Sequence, residues 1–127
     1  MAHPARGTTL WLALWRTSRD VQRLAEANIA ESGLCLTDFG VLEALLNGGP
    51  QRVNTVAEKV MLTSGSMTTA VDRLAAKGLV ARAADETDAR ARVVELTDAG
   101  RAVIGPAFAR HAEYLDDIFG DMTDEER

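Results

Sequence analysis

The sequence contains one cysteine and no long apolar run. A single cysteine excludes an intramolecular disulfide and a zinc site made of several thiolates. Each apolar run is interrupted by Arg, Asp or Gly within a few residues, so we expect no membrane-spanning helix. No basic N-terminal segment leads into an uninterrupted apolar stretch, as a secretory signal requires. These absences predict a cytoplasmic protein.

Patterns typical of catalysis and metal binding are also missing. No nucleophile is paired with a recognisable base, and no glycine-rich phosphate loop is present. The two histidines, His3 and His111, are far apart in sequence and lack a suitably spaced carboxylate or second histidine. The sequence therefore predicts neither an enzyme nor a protein with a metal or cofactor.

Charge is distributed unevenly along the 127 residues, a length typical of one domain. The formal net charge of -5 argues against a nucleic-acid partner for the chain as a whole. Between Arg52 and Arg92, however, seven basic residues stand against five acidic ones, so this segment carries +2 and the remainder -7. A chain that is acidic overall can therefore still present a weakly cationic surface to phosphates.

Apolar residues recur at helical spacing in five segments. The first segment has a wide apolar stripe that includes Trp11 and Trp15. This stripe is wider than a helix of a small domain needs for a single buried face. Two segments, 79–83 and 92–96, predict strands joined by a polar hairpin tip at 84–91. The helices are predicted near residues 10–29, 37–46, 55–60, 64–77 and 98–119, with a short extended piece at 52–53.

Capping residues set the predicted helix boundaries. Short polar side chains accept hydrogen bonds from the free amides at a helix start, and glycine adopts the left-handed conformation that ends a helix. The predicted N-caps are Thr37, Asn54, Thr63 and Thr97. Gly78 and Gly120 are predicted helix stops. Residues 123–126 have the pattern of a capping box, which predicts the beginning of a further, truncated helix.

A short helix, a tight turn, a longer helix and a hairpin follow one another in the order of a winged helix-turn-helix. The predicted fold class is therefore mostly α with a small β-wing. The second helix of such a pair lies in the DNA major groove, where polar side chains near its N-terminus meet the bases. The candidate DNA-binding residues are Ser64, Gly65, Ser66, Thr68 and Thr69, with Arg73 further along reaching the phosphate backbone. The alternative is that these serines and threonines only cap a solvated helix start.

The hairpin tip supplies a second candidate contact. Arg90 would project from the end of a two-stranded ribbon, where a guanidinium can enter the narrow, electronegative minor groove. The carboxylate of Asp88 could orient this guanidinium. A solvated charged turn without a partner is the alternative interpretation.

Three linked segments around the hairpin form a more specific pattern. They are Asp72-Arg-Leu-Ala-Ala-Lys-Gly-Leu-Val-Ala-Arg82, Asp85-Glu-Thr-Asp88-Ala-Arg90 and Leu96-Thr97-Asp-Ala-Gly100-Arg101. Together they resemble the multiple-antibiotic-resistance regulator (MarR) family. The resemblance implies a homodimeric repressor or activator on a pseudo-palindromic site in double-stranded DNA. It also implies that the helix beginning at Ser64 occupies the major groove and that Arg90 enters the minor groove.

The wing departs from the family pattern at two positions. Glu86 stands where the family often has Pro, and Ala89 stands where it often has Arg, so this wing has one cation fewer than many relatives. We expect Arg92 to compensate. The resemblance divides the chain into three parts: a dimerisation helix and loop at about 8–36, a winged helix-turn-helix at 37–96, and C-terminal dimerisation helices at 97–127.

The same resemblance implies a cavity beside the first helix that could bind a small aromatic or phenolic effector. Trp11, Trp15 and His111 are the candidate lining residues, and packing in the core or at a subunit interface is the alternative. Cys35 lies just before the second helix with no basic residue within three positions. It is expected to be a small, semi-buried residue and not an oxidant sensor.

The leading interpretation is a ligand-responsive, dimeric transcriptional regulator that binds DNA sequence-specifically. Effector binding would change the separation of the two DNA-binding parts, which must match half-sites about one helical turn apart. Because the basic excess is small, a winged-helix module that binds proteins and not DNA is the alternative.

Overall fold

The fold is mostly helical with one small sheet, as the sequence predicts. The computed structural model describes residues 5–88 and 90–126, and the side chains of 6–88 and 90–120. His3 and Ala89 lie outside the described residues. The elements are α1 (Ala5–Ala30), α2 (Leu36–Gly48), β1 (Gln51–Arg52), α3 (Val53–Lys59), α4 (Ser64–Ala76), β2 (Val80–Ala84), β3 (Arg92–Leu96) and α5 (Asp98–Glu126). None of the helices within 5–88 and 90–126 has the length and apolar character to cross a membrane.

The sheet has three antiparallel strands in the order β1-β3-β2. β2 and β3 form the predicted hairpin, in which Val80 lies opposite Leu96 and Ala84 lies opposite Arg92. β1 adds only two residues on the other side of β3, with Arg52 opposite Val93. The extended piece predicted near residue 52 is therefore a third strand that joins the hairpin to the helices.

The core is built around α2. Val41, Leu42 and Leu45 of this helix are fully or almost fully buried. They pack in one cluster with side chains of the other elements, such as Met67 of α4 and Ile104 of α5. A helix that is apolar on nearly every side is stable only when other elements surround it. α2 meets this condition because α1, α3, α4, α5 and β3 all contact it.

Two of the four predicted N-caps are confirmed. The hydroxyl oxygen of Thr63 accepts a hydrogen bond from the amide of Ser66, 3.2 Å away, at the start of α4. Thr97 caps α5 by accepting from the amide of Gly100 at 3.0 Å. Its own hydroxyl donates to the carbonyl oxygen of Gly78 at 2.6 Å. Thr97 thus ties the start of α5 to the stop of α4, where Gly78 has the expected positive φ of 74°.

The other two predicted N-caps are each wrong by two positions. α2 begins at Leu36 with Cys35 as its N-cap, and α3 begins at Val53 with Arg52 as its N-cap. Pairing with β3 holds Arg52 in the extended conformation of β1, so α3 starts at the next residue without a loop. The capping propensity of Asn54 is overridden by this tertiary contact.

The predicted stop at Gly120 is also wrong. α5 continues without interruption from Asp98 to Glu126, so residues 123–126 do not begin a separate helix. Gly120 is absent from the described residues with positive φ, which include Gly33, Gly49 and Gly78. A glycine that stays in helical conformation costs only about 1 kcal/mol relative to alanine, and the long helix tolerates this cost.

His111 joins α5 to α1 and α2. Its Nδ1 lies 2.9 Å from Oδ1 of Asn28, and its ring meets the ring of Phe39 in an edge arrangement with centroids 5.0 Å apart. The neighbouring Arg110 donates to the carbonyl oxygen of Asn28 and to the hydroxyl of Ser32. Burial lowers the pKa of His111 below its usual 6.5, and the positive charge of Arg110 lowers it further.

This lowered pKa predicts a pH dependence of stability. As the pH falls, the unfolded chain takes up a proton on His111 before the folded chain does, so unfolding becomes more favourable. The contribution is fully present above pH 6.5 and is lost as the pH falls through the folded-state pKa. We expect a lower Tm at about pH 5 than at about pH 8. The difference should be smaller in His111→Gln, and an unchanged difference would contradict this role.

A second prediction concerns the buried Gly100 in the first turn of α5. A Cβ at this position would overlap the carbonyl oxygen of Leu79 and lie 3.2 Å from Cδ2 of Leu96. Gly100→Ala should therefore lower the free energy of unfolding by about 1–3 kcal/mol. Gly105→Ala, in the same helix with nothing within 4 Å of its Cβ, is the matched control. Gly105→Ala should raise the free energy of unfolding by up to about 1 kcal/mol. Equal midpoints for the two variants in denaturant titrations would contradict the prediction.

Candidate nucleic-acid interface

A groove separates α4 from the wing, which we define as β2, β3 and the residues between them. Its volume is about 920 Å³. Every element from β1 to β3 contributes to its walls. The lining residues are Arg52, Val53, Asn54, Thr55, Glu58, Thr68, Val71, Asp72, Arg82, Asp88, Arg90, Ala91 and Arg92.

α4 is divided into a buried and an exposed face. The apolar residues Met67, Ala70, Val71 and Leu74 are buried. The predicted DNA-binding residues of the helix are all exposed on its other side: Ser64, Gly65, Ser66, Thr68 and Thr69. This face carries hydroxyl groups and free amides of a helix N-terminus, which are groups suited to bases and phosphates.

The threonine hydroxyls of α4 are oriented by its own backbone. Thr68 Oγ1 donates to the carbonyl oxygen of Ser64 at 2.9 Å, and Thr69 Oγ1 donates to that of Gly65 at 3.1 Å. With the hydroxyl proton used in this way, each oxygen presents its lone pairs outward. These two threonine side chains therefore offer hydrogen-bond acceptors to a ligand.

The exposed residues of α4 do not all face the groove. Thr68 lines the groove with Asp88, Arg90 and Arg92. A second cleft of about 510 Å³ lies elsewhere along α4, where its N-terminal half meets the start of α2. Its lining residues are Thr37, Gly65, Ser66, Thr69 and Arg73. The predicted site residues thus form two adjacent groups that share α4.

The arginines of the groove differ in their partners. Arg52 pairs with Asp85 and Arg82 pairs with Asp72. Within residues 5–88 and 90–126, the guanidinium groups of Arg90 and Arg92 form neither a hydrogen bond nor an ion pair, and both side chains are exposed. Arg90 and Arg92 are therefore the groove cations whose charge is not already compensated by a neighbour.

Asp88 acts on the backbone of the wing and not on the guanidinium of Arg90. Its Oδ1 accepts a hydrogen bond from the amide of Arg90 at 3.0 Å. Its carbonyl oxygen accepts from the amide of Ala91, also at 3.0 Å. An aspartate that bonds the amide two residues later forms a local turn. The expectation that the Asp88 carboxylate orients the guanidinium of Arg90 is therefore wrong. Asp88 instead shapes the backbone on either side of Arg90.

Asp85 holds the base of the hairpin tip. Its Oδ1 accepts from the amide and the hydroxyl of Thr87, both at 2.8 Å, and its Oδ2 accepts from Nε of Arg52 at 2.6 Å. The hydrogen bonds from the Thr87 amide and hydroxyl, followed by that from Arg52, lower the pKa of Asp85 to about 2. The carboxylate is therefore ionised throughout the neutral range.

Arg73 is engaged in an ion pair that the sequence did not predict. Its Nε lies 3.2 Å from both carboxylate oxygens of Asp38, and its terminal amino group also binds Oδ1. The Asp38 side chain is 3% exposed, whereas that of Arg73 is 40% exposed. The hydrogen bond and the charge of Asp38 raise the pKa of Arg73. Arg73 thus stabilises the packing of α4 on α2, which competes with its predicted contact to a phosphate.

Several groove residues were not predicted. Arg52 and Arg82 contribute to the +2 charge of the segment but have no predicted role in the site. Asn54 is predicted only as an N-cap and Thr55 only as a helix residue. The sheet register decides their position, because it places Arg52 opposite Val93 and Arg82 opposite Val94. The charge of the segment is the only sequence signal for Arg52, whereas Arg82 also ends the first of the three family-like segments.

The three candidate effector-binding residues are not adjacent within one chain. Trp11 and Trp15 stack with centroids 6.2 Å apart and are 62% and 47% exposed. His111 is buried against Asn28, about 20 Å along α1 from Trp15 at 1.5 Å per residue. Cys35 is exposed and not semi-buried as expected. The described residues contain no group of three or more His, Cys, Asp or Glu side chains suited to a metal ion.

Comparison with known proteins gives concordant matches. The sequence model of the MarR family matches residues 32–91. The HTH-type transcriptional regulator MhqR of Bacillus subtilis (strain 168) is 33% identical over 117 residues, which cover 92% of this chain and 81% of MhqR. The transcriptional regulator BldR of Sulfolobus solfataricus superposes with a TM-score of 0.79 at 27% identity, over 95% of this chain and 87% of BldR. NadR in complex with 4-hydroxyphenylacetate shares the fold, with a TM-score of 0.81 at 17% identity over 99% and 89% of the two chains.

The ion pair of Arg73 generates a prediction about stability. Arg73→Gln removes the partner of a buried carboxylate, and we expect the free energy of unfolding to fall by about 1–3 kcal/mol. Lys77→Gln is the matched control, because Nζ of Lys77 lies 4.0 Å from the same carboxylate. Its effect should stay below about 1 kcal/mol. Equal losses for the two variants in denaturant titrations would show that the bidentate pair has no special role.

Proposed function

This chain belongs to the MarR family of HTH-type transcriptional regulators, and we propose that it binds a pseudo-palindromic site in double-stranded DNA as a homodimer. The observation that carries this proposal is the groove between α4 and the wing. There an exposed polar helix face lies beside two arginines, Arg90 and Arg92, that have no partner among the described residues.

We propose that α4 occupies the major groove. The major groove is about as wide as one helix. α4 exposes the polar face of its N-terminal half, while its apolar face is buried. The outward acceptors of Thr68 and Thr69 suit the amino groups of adenine and cytosine. In the second cleft, the amides at the start of α4 would bind a backbone phosphate, with Arg73 nearby.

We propose that the wing contacts the neighbouring minor groove. Arg90 lies at the hairpin tip, where the narrow groove concentrates negative potential. Arg92, at the start of β3, would bind a phosphate next to it. Charge elsewhere on the chain is net negative, so the orientation in which the wing and α4 face DNA is favoured electrostatically.

Dimerisation explains the exposed apolar surface of α1. Soluble monomers rarely expose large contiguous apolar patches, yet α1 exposes Leu10, Trp11, Leu14, Trp15 and Leu24. We propose that residues 8–36 and 97–127 form the dimer contact and that 37–96 form the DNA-binding part. The two-fold axis of such a dimer requires a pseudo-palindromic DNA site.

We further propose that the protein is a cytoplasmic repressor controlled by a small aromatic or phenolic effector. The fold is shared with NadR, whose structure contains 4-hydroxyphenylacetate. The stacked Trp11 and Trp15 offer a surface for an aromatic ring. Because His111 lies far from them within one chain, a pocket lined by all three would need the second copy. Binding there would alter the separation of the two wings and release the DNA.

Substitution of the wing arginine tests the DNA-binding proposal. Arg90→Ala should weaken binding by roughly 1–3 kcal/mol and reduce its salt dependence, because one cationic contact is lost. The measurement is a fluorescence anisotropy titration, at several salt concentrations, with duplex DNA from the region upstream of the gene. Arg101→Ala, which removes an exposed arginine of α5 outside the groove, is the matched control and should bind nearly as the unsubstituted protein does. Unchanged affinity and salt slope in Arg90→Ala would refute the wing assignment.

A further inference from the structure

The tip of the wing is exposed at most of its described positions, but Asp85 is largely shielded from solvent. The neighbouring side chains Glu86, Thr87, Asp88 and Arg90 are all exposed. The side chain of Asp85, by contrast, is only 13% exposed. A carboxylate is shielded to this extent only when its oxygens are bound by donors. Asp85 therefore has a defined structural partner at the point where the hairpin leaves the body of the protein.

The two oxygens of Asp85 serve different elements. One oxygen accepts from the amide and hydroxyl of Thr87 and so shapes the loop itself. The other accepts from Nε of Arg52, which lies in β1 and is the N-cap of α3. The backbone amide of Asp85 also donates to the carbonyl oxygen of Ala91 at 3.2 Å, which closes the base of the tip. One side chain thus connects the wing tip to the helix-turn-helix.

We propose that Asp85 is a positioning residue for DNA binding, which holds the wing tip against Arg52 so that Arg90 is presented at the edge of the groove. This inference rests on the proposed DNA-binding function. The guanidinium of Arg90 forms neither a hydrogen bond nor an ion pair within the described part of the chain, so its position depends on the path of the tip. A loop that is ordered in advance loses less conformational entropy on binding.

Arg52 is suited to act as the anchor. Only its Nε is used by Asp85, and among the described side chains its terminal amino groups have no partner. Arg52 also lines the groove, so these amino groups can bind a phosphate while Nε retains Asp85. The ion pair therefore does not have to break when DNA binds. The pKa of about 2 keeps Asp85 charged at any pH at which binding is measured.

The proposal predicts that neutralising Asp85 weakens DNA binding, whereas electrostatic repulsion alone predicts that it strengthens binding. Removing a negative charge close to DNA normally strengthens binding, because repulsion of the phosphates is reduced. If Asp85 positions the wing, removing its charge weakens binding. We choose Asp85→Asn because its remaining carbonyl oxygen can still accept from Thr87, whereas its amide group cannot pair with Arg52.

The first experiment compares DNA affinities by fluorescence anisotropy with the upstream duplex. Asp85→Asn should bind about three- to tenfold more weakly than the unsubstituted protein. The reason is that a tip no longer held by Arg52 loses more conformational entropy when it is ordered on DNA. Glu86→Gln removes the same charge from the adjacent, exposed position. This matched control should bind equally or more tightly. Binding by Asp85→Asn that is as tight as that of Glu86→Gln would overturn the proposal.

The second experiment separates positioning of Arg90 from a general loss of folding. In an Arg90→Ala background, Asp85→Asn should change affinity by less than about twofold, because the side chain to be positioned is absent. An undiminished effect in that background would show that Asp85 acts through something else. Thermal unfolding of each variant verifies that the compared proteins are folded.

A measurement without DNA distinguishes this inference from the proposed function. In Asp85→Asn, the amides of residues 85 and 91 at the base of the tip should exchange with solvent faster, while amides of α2 should be unaffected. Unchanged exchange at these amides would overturn the positioning role, whatever the DNA titrations show. Faster exchange together with no salt-dependent binding by the unsubstituted protein would support the anchoring of the wing and refute DNA binding.

Discussion

The pairing of β1 with β3 joins the wing to the helical body, and the geometry of the interface depends on it. A two-stranded hairpin is only marginally stable by itself, and β1 supplies a third strand from the segment just before α3. The same pairing places Arg52 at the side of the hairpin, where it meets Asp85. This pairing therefore determines both where α3 begins and where the hairpin lies relative to the helices.

Ion pairs with carboxylates determine which arginines of the interface remain available to bind a ligand. Three arginines of this interface are paired with aspartates, and each pair connects two parts of the fold. They are Arg52 with Asp85, Arg73 with Asp38 and Arg82 with Asp72. These pairs support the architecture, while Arg90 and Arg92 keep their charge for a ligand. A small net positive charge along the segment is thus concentrated at one edge of the groove.

The two halves of the protein have different surface character, which matches their proposed roles. α2 is surrounded by α1, α3, α4, α5 and β3, and most of its apolar side chains are buried within one chain. α1 instead leaves an apolar face with two stacked tryptophans exposed, although its C-terminal end is fixed to α5 through Asn28 and His111. A core that is completed within one chain and a helix that still exposes an apolar face are what a dimeric regulator requires.

The sequence by itself determined the helices, the hairpin and the family, because these follow from local periodicity, turn residues and a linear motif. It also identified Thr63 and Thr97 correctly as caps, since each bonds to an amide three residues away. Tertiary structure decided what depends on residues distant in sequence. Pairing with β3 moved the start of α3, and Asp38 engaged Arg73 across 35 positions. Asp85 likewise met Arg52 across 33 positions, a contact that no local pattern encodes because only the folded sheet brings the two side chains together.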